Sequence, residues 1–281
     1  MNKQQFLAQF ESIEKLKKGG QKIVYKAINA NKNTVALKLM YNSSDPRILQ
    51  EIKILSENNI YNTPRILSSG YINDEDSQED ALYLIEEFID GKSVREYLDE
   101  GNKFNLTQAY NVLHELLLIE IDLEKHDLLH RDINPNNIML ATNGQIILID
   151  FGLAKYVKGT PITKTDALNG PFTPGYAPHE QIANKRMEQD VRTDLFQIGV
   201  TLYECCTGKN PFYNSNDNLA SIIYKTTTYM PPQLSIKGDT NGLFAQLINM
   251  LIAKNPSQRP DTAETAMRYL NAVHDTLNME E

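Results

Sequence analysis

A polar segment at residues 130–137, followed at short range by an acidic residue, most constrains the fold of this chain. The segment carries Asp132 near its start and Asn137 at its end, and Asp150 comes thirteen residues after Asn137, directly behind the Ile-rich stretch 145–149. A short apolar run bounded by turn residues predicts a buried strand. Carboxylate and amide oxygens suit Mg²⁺, and a carboxylate can accept a hydrogen bond from an attacking hydroxyl. The pattern therefore favours phosphoryl-transfer chemistry.

The spacing H-R-D-x-x-x-x-N followed by D-F-G matches the catalytic loop described for protein kinases. The chain resembles a eukaryotic-type (Hanks-type) serine/threonine protein kinase catalytic domain from about Leu16 to about Leu270. Several motifs occur in the expected order, which makes chance a poor explanation. The others that carry the resemblance are Val35-Ala36-Leu37-Lys38, Glu51, Glu87-Phe88-Ile89, Thr173-Pro174-Gly175-Tyr176-Ala177-Pro178-His179-Glu180, Asp194 and Arg259.

The resemblance implies an α+β fold of two lobes that together form one kinase domain over the whole chain. A small β-rich N-lobe with the hinge takes about residues 1–89, and a larger, mainly α-helical C-lobe takes about residues 90–281. The residue patterns agree with this division. Residues 34–40 are typical of a strand, and apolar residues keep helical spacing over 112–123. The pair Asp90-Gly91 breaks the pattern and is the expected boundary.

Composition excludes several other classes of protein. The net charge is −8 and the pI is about 5.3, which argues against a non-specific nucleic-acid binder. No apolar run approaches the length of a membrane span, and the first residues lack a secretory signal. Cys205 and Cys206 are adjacent and are the only cysteines, so a disulfide framework is excluded. We therefore expect a cytoplasmic globular protein.

The resemblance implies ATP and Mg²⁺ as cofactors and assigns roles to individual residues. Asp132 orients or deprotonates the acceptor hydroxyl, and Asn137 and Asp150 hold the metal. Lys38 holds the phosphates of ATP and is oriented by Glu51, with Glu57 as a nearby competitor for that role. The ATP is expected in the cleft between the lobes. Residues expected to contact the nucleotide are Gly19, Gly20, Val24, Ala36, Glu87, Ile89 and Met139.

The chain departs from the family pattern in its glycine-rich loop. Only Gly19 falls on a motif glycine, Gly20 adds one of its own, and Lys17 and Lys22 replace the other two. The charge of Lys22 could lie near the phosphates, or its side chain could crowd the loop or stay in solvent.

Two further departures fall at Asn134 and Glu86. Asn134 stands where serine/threonine kinases usually carry Lys, so a charge that would stabilise the transferred phosphate is missing and transfer should be slower. Glu86 stands where the residue is usually apolar or a small hydroxyl, and a buried acid needs a partner. The sequence leaves open whether the strand has a one-residue bulge here or whether Glu86 contacts Lys38.

Thr173 before Pro174 resembles the serine/threonine class, so we expect Ser or Thr hydroxyls as acceptors.

Regulation and alternative functions also follow from the resemblance. Arg131 suggests control by phosphorylation of the activation segment, from Asp150 to Glu180, where Thr160, Thr163 and Thr165 are the candidate sites. An unregulated polar loop is an equal alternative.

A pseudokinase that binds or scaffolds without catalysis is the first alternative function. A small-molecule phosphotransferase of the aminoglycoside or choline kinase type is the second. Protein substrates are the expected partners, with neither nucleic acid nor a membrane span.

Overall fold

The computed structural model describes residues 1–18, 22–41, 46–74, 79–157 and 172–278. The chain divides into two compact units. The first holds Met1–Asn59 and Thr63–Asp90, and the second holds Ile60–Asn62 and Gly91–Glu281.

The first unit is a five-stranded antiparallel sheet with two helices. The strands lie in the order β1-β2-β3-β5-β4, so β3 is central. The elements are α1 (Lys3–Leu7), β1 (Ser12–Lys18), β2 (Lys22–Ile28), β3 (Thr34–Met40), α2 (Pro46–Glu57), β4 (Ile66–Asp74) and β5 (Glu79–Glu87).

Each face of this sheet is covered by one helix. Successive residues of a strand point to opposite faces. One face packs on Phe6 of α1. The other face carries Met40 at the end of β3 and packs on Ile52 of α2. Lys38 lies two residues before Met40, so it is on the α2 face. The residues buried with Phe6 are Ala27, Val35, Leu37, Leu39, Ile72 and Ala81.

The second unit is mainly helical, and α6 lies at its centre. This helix is buried along most of its length and packs against α4 and α8. A capping box between Asn105 and Gln108 starts α4, and Gly208 ends α6 with a φ of 76°, which glycine adopts at little cost. The helices are α3 (Val94–Asp99), α4 (Leu106–Lys125), α5 (His179–Ile182), α6 (Val191–Thr207), α7 (Leu219–Thr228), α8 (Leu243–Leu251) and α9 (Ala263–His274), with 3₁₀ turns at Arg186–Glu188 and Pro256–Gln258.

Short strands of the second unit flank the polar segment 130–137. One small sheet has the order β6-β8-β9, and β7 pairs with β10. These strands are β6 (Gly91–Ser93), β7 (Leu128–Leu129), β8 (Ile138–Ala141), β9 (Ile146–Leu148) and β10 (Lys155–Tyr156).

The observed elements confirm the predicted α+β class, because a β-rich first unit precedes a mainly helical second unit. The central strand β3 has the predicted bounds. The strand expected at 145–149 is assigned over Ile146–Leu148, and hydrogen bonds from Ile149 N–H to the Asn137 carbonyl and from Ala141 N–H to the Gln145 carbonyl continue its pairing with β8 at both ends. Within the described ranges, every helix is too short or too polar to span a lipid bilayer.

Glu120 on α4 places a carboxyl group in the interior of the second unit. Glu120 is 1% exposed, and both of its carboxyl oxygens lack a hydrogen-bond partner among the described residues. Burial, together with the nearby charges of Asp194 and Glu124, raises the pKa of Glu120 well above its ordinary value of 4.5. An isolated buried carboxylate is costly, so Glu120 keeps its proton in the folded chain at pH values where the unfolded chain loses it.

We expect Glu120→Gln to remove a pH-dependent loss of stability. Above pH 4.5 the unfolded chain releases the Glu120 proton while the folded chain retains it, so rising pH favours unfolding of the wild type by at most about 1.4 kcal/mol per pH unit. Gln cannot ionise. The melting temperature of E120Q, measured between about pH 5 and about pH 8, should therefore exceed that of the wild type by a margin that grows with pH.

The matched control is Glu264→Gln, an exposed glutamate of α9. Its melting temperature should follow the wild-type pH curve. Parallel curves for E120Q and the wild type would show that Glu120 ionises alike in both states, contrary to this prediction.

Candidate active site

The loop 130–137 is fixed by the buried carboxylate of Asp194 on α6. The backbone N–H of His130 donates to Asp194 Oδ2 and that of Arg131 donates to Oδ1, both at 2.7 Å. Asp194 is fully buried, and burial raises its pKa to about 6 although the two N–H donors favour the charged form. Asp194 is therefore a positioning residue for the loop.

Two glutamines hold the peptide groups on either side of Asp132. Gln181 and Gln197 both donate to the carbonyl of Arg131, at 2.8 and 2.9 Å, and the Gln197 carbonyl accepts the N–H of Ile133 at 2.7 Å. Arg131 has a φ of 67°, in the left-handed region that costs energy for any residue with a Cβ. These hydrogen bonds hold that conformation, which sets the direction of the Asp132 side chain.

The carboxylate of Asp132 accepts hydrogen bonds from three side chains. Asn137 Nδ2 donates to its Oδ2 at 2.8 Å, and Asn134 Nδ2 donates to its Oδ1 at 3.1 Å. The hydroxyl of Thr173 donates to Oδ1 at 2.5 Å. Burial raises the pKa of Asp132 to about 6, and the negative charge of Asp150 acts in the same direction. A carboxylate with a pKa near neutrality that accepts a hydrogen bond from a hydroxyl is suited to general base chemistry.

His130 and Phe151 pack together and take no proton-transfer role. Their rings meet edge to face with centroids 4.6 Å apart, and both residues are buried. Burial lowers the pKa of His130 to about 4, despite the charge of Asp150, so the imidazole is neutral at physiological pH. His130 Nδ1 accepts the N–H of Asp132 at 3.2 Å. His130 is therefore a core histidine rather than a base.

Asn137 and Asp150 fit the donor set of a magnesium ion. Asn137 Nδ2 donates to the carbonyl and to Oδ2 of Asp132, and these two bonds do not use the amide oxygen, the kind of ligand that Mg²⁺ accepts. Asp150 adopts a φ of 68° and contributes a carboxylate. Mg²⁺ takes one or two carboxylates and keeps several waters. The described residues contain no group of three or more His, Cys, Asp or Glu side chains that could form a complete protein cage.

In the first unit, Lys38 lies between two glutamates. Its Nζ is 2.6 Å from Glu86 Oε2 and 3.5 Å from Glu51 Oε1. Of the two α2 candidates, Glu51 is buried beside Lys38, whereas Glu57 is exposed at the end of the helix. Glu86 lies in regular register with β3, opposite Ala36, and contacts Lys38, while the pairing of β5 with β4 shifts by one residue between Ile66 and Ser68, next to Glu86.

The remaining expected nucleotide-binding residues fall in different places. Val24 is opposite Lys38 in the sheet and shares its face, as does Ala36. Glu87 ends β5, and Ile89 follows it within the first unit. Met139 belongs to the second unit, on β8. Several expected residues lie outside the part of the chain that the structure describes: Gly19, Gly20, Thr160, Thr163, Thr165 and the side chain of Lys17.

Lys22 is described, and it pairs within the first unit. Its Nζ is 3.8 Å from Glu51 Oε1, and the side chain is 24% exposed. Lys22 is two residues from Val24 on β2 and therefore points to the α2 face as well. Neither a phosphate contact nor a purely solvated side chain is needed to explain its position.

Glu180 and Arg259, two of the residues that carry the resemblance, form an ion pair in the second unit. Arg259 Nη1 is 2.6 Å from Glu180 Oε1, and neither side chain has any exposed surface. Arg259 also donates to the carbonyls of Ala253, Arg192 and Lys254. A buried ion pair needs such additional hydrogen bonds to offset its desolvation. Its role is structural.

Sequence reasoning missed two contacts that involve residues far apart in the chain. It used Thr173 only as a mark of the acceptor class, and not as a partner of Asp132. It also missed a group formed by partly exposed Arg95 with buried Tyr176 and Glu204. Arg95 donates to Glu204 at 2.7 Å and to the Tyr176 hydroxyl at 3.0 Å, and that hydroxyl donates to Glu204. The one available signal was an acid, Glu204, within an apolar helical stretch.

Comparisons with a family model and with known proteins all point to the same protein family. The model of the family described as "Protein kinase domain" matches residues 10–270. Serine/threonine-protein kinase PknL of Mycobacterium tuberculosis is 29% identical over 271 residues, which cover 95% of this chain and 66% of PknL. PknA of Corynebacterium glutamicum is 30% identical over 188 residues, which cover 66% of this chain and 38% of PknA. The probable serine/threonine-protein kinase PknB of Lactococcus lactis is 25% identical over 228 residues, which cover 78% of this chain and 34% of PknB.

This chain therefore spans less than two thirds of the length of these relatives. The family match nevertheless covers both units, including the loop 130–137 and the Glu180–Arg259 pair. The chain belongs to the protein kinase domain family.

Proposed function

We propose that this chain is a serine/threonine protein kinase that transfers the γ-phosphate of ATP to Ser or Thr hydroxyls of proteins. The observation that carries the proposal is the partly buried Asp132 carboxylate, fixed by Asn134 and Asn137 and accepting a hydrogen bond from the Thr173 hydroxyl. An acceptor hydroxyl would use the same kind of hydrogen bond. The relatives named above, which are serine/threonine-protein kinases by name, support the acceptor class.

In the proposed reaction, the acceptor oxygen attacks the γ-phosphorus of ATP, and the bond between that phosphorus and the β–γ bridging oxygen breaks. ADP leaves with the bridging oxygen. Asp132 orients the hydroxyl and accepts its proton. The rate gain comes mainly from positioning and charge stabilisation, since phosphoryl transfer leaves little covalent chemistry for the protein.

Other residues have supporting roles in this proposal. Lys38 contacts the α- and β-phosphates, and Glu51 orients its ammonium group. Asn137 and Asp150 would hold Mg²⁺, which supplies positive charge against the phosphates when bound. Asn134 brings no charge to the phosphate, but its amide donates to the carbonyl and the carboxylate of Asp132. We therefore assign Asn134 a positioning role.

We expect Asp132→Asn to reduce phosphate transfer by about 100- to 10,000-fold, because an amide cannot accept the hydroxyl proton. Transfer of labelled phosphate from ATP to casein, in the presence of Mg²⁺, measures the effect. Asp275→Asn is the matched control, since that side chain is 97% exposed. Full activity of D132N, with an unchanged melting temperature, would contradict the assignment of Asp132.

We expect the wild-type chain to phosphorylate its own activation segment. After incubation with ATP and Mg²⁺, peptide mass spectrometry should find phosphate on Thr160, Thr163 or Thr165. Asp150→Ala should carry none, because it loses a carboxylate that the metal needs. Equal phosphate on wild type and D150A would mean that the modification comes from a contaminating kinase.

We expect Thr173→Ala to lower the phosphorylation rate by about 10- to 150-fold, because a hydrogen bond to a charged group contributes about 1.5–3 kcal/mol and about 1.4 kcal/mol is a factor of ten in rate. Thr173→Ser keeps the hydroxyl and should retain most of the activity. The kcat for casein phosphorylation separates the two variants. If T173S and T173A fall equally, the methyl group rather than the hydrogen bond to Asp132 is what matters.

A further inference from the structure

Strand register places Glu86 on the same sheet face as Lys38. Glu86 on β5 is directly opposite Ala36 on β3, and Leu84 is directly opposite Lys38. Directly opposed residues share a face, so Glu86 is the diagonal neighbour of Lys38. Long side chains can bridge such a diagonal. The contact between the two residues therefore follows from regular β structure and needs no distortion of the strand.

Glu86 contacts Lys38 more closely than Glu51 does. The Lys38 Nζ is 2.6 Å from Glu86 Oε2 but 3.5 Å from Glu51 Oε1. Both glutamate side chains are 3% exposed and that of Lys38 is 9% exposed, so water screens these charges poorly. The ammonium of Lys38 therefore has a carboxylate at direct hydrogen-bond distance besides the glutamate on α2.

Among the described residues, two positive and two negative side chains meet on this face. Two ammonium groups, on Lys22 and Lys38, face two carboxylates, on Glu51 and Glu86. Glu86 Oε1 has no hydrogen-bond partner among the described residues, so Lys38 is the main group that compensates this buried carboxylate. Burial raises the pKa of Glu86, whereas the charge of Lys38 lowers it.

A phosphate group at Lys38 would change this balance. It would bring further negative charge to an ammonium that two carboxylates already share, and it would lie close to Glu86. Like charges at short range in a poorly solvated site repel strongly. Binding would then need Glu86 to move from Lys38 or to take up a proton, and either change costs free energy.

We propose that Glu86 competes with the phosphates of ATP for the ammonium of Lys38, and so sets the affinity of the chain for nucleotides. This inference rests on the proposed function, because it takes Lys38 as the phosphate contact. It makes Glu86 an affinity-determining residue for the nucleotide, with an effect that depends on the phosphates and not on the base.

The test measures the dissociation constants of ATP, ADP and adenosine by calorimetry, for the wild type and for Glu86→Gln. Gln keeps the shape of Glu but not its charge. We expect E86Q to bind ATP about tenfold more tightly than the wild type, because one nearby negative charge is removed. ADP should also gain affinity, whereas adenosine, which has no phosphate, should bind both proteins equally.

Asp74→Asn is the matched control. Asp74 is a buried acid of the same unit, on β4, and its Oδ2 is 2.8 Å from Lys3 Nζ. D74N therefore removes one buried, lysine-paired carboxylate elsewhere on the sheet, and it should leave the ATP affinity unchanged. Melting curves check that each variant is folded. If E86Q does not fold, Glu86→Met provides an uncharged side chain of similar length for the same measurements.

The outcomes separate this inference from the proposed function. Equal or weaker ATP binding by a folded E86Q, with ATP binding retained by the wild type, overturns the competition and leaves the kinase proposal intact. An equal gain for adenosine also overturns it, because the effect would then concern the base. Failure of both proteins to bind ATP contradicts the proposed function, and the competition with it.

Discussion

The candidate active site depends on two hydrogen bonds to one buried carboxylate. Asp194 lies on the central helix α6, and it accepts the consecutive N–H groups of His130 and Arg131. A carboxylate without any exposed surface would be unfavourable alone, so these donors and the carboxylate stabilise one another. The left-handed backbone of Arg131 and the direction of Asp132 both follow from this contact. The core of the second unit thereby fixes the position of Asp132, the group that would accept a proton.

Much of the fold could be predicted from the sequence, because local patterns reflect local structure. The β-rich residues of β3 and the helical spacing of α4 each specify an element. The kinase motifs then supplied the order of the elements and most of the site residues. Residues of one loop, such as Asp132, Asn134 and Asn137, are close in sequence and therefore also close in space.

Contacts between distant segments could not be predicted in the same way. The partner of Glu86 depends on the register of β5 against β3, and a shift by one residue would turn its side chain to the other face. The group of Arg95, Tyr176 and Glu204 joins three segments that share no local pattern. Such contacts are decided by tertiary packing, and single residue types give little sign of them.

The short helix α1 shows that the folded unit extends beyond the family match. The match starts at residue 10, but Phe6 is 5% exposed and packs against the sheet together with Val35 and Leu37. Its ring also lies 4.4 Å from that of Tyr83, centroid to centroid. A shortened chain that begins at the family boundary would leave an apolar sheet face open to water. The first nine residues therefore belong in any recombinant version of this domain that has to keep this sheet face covered.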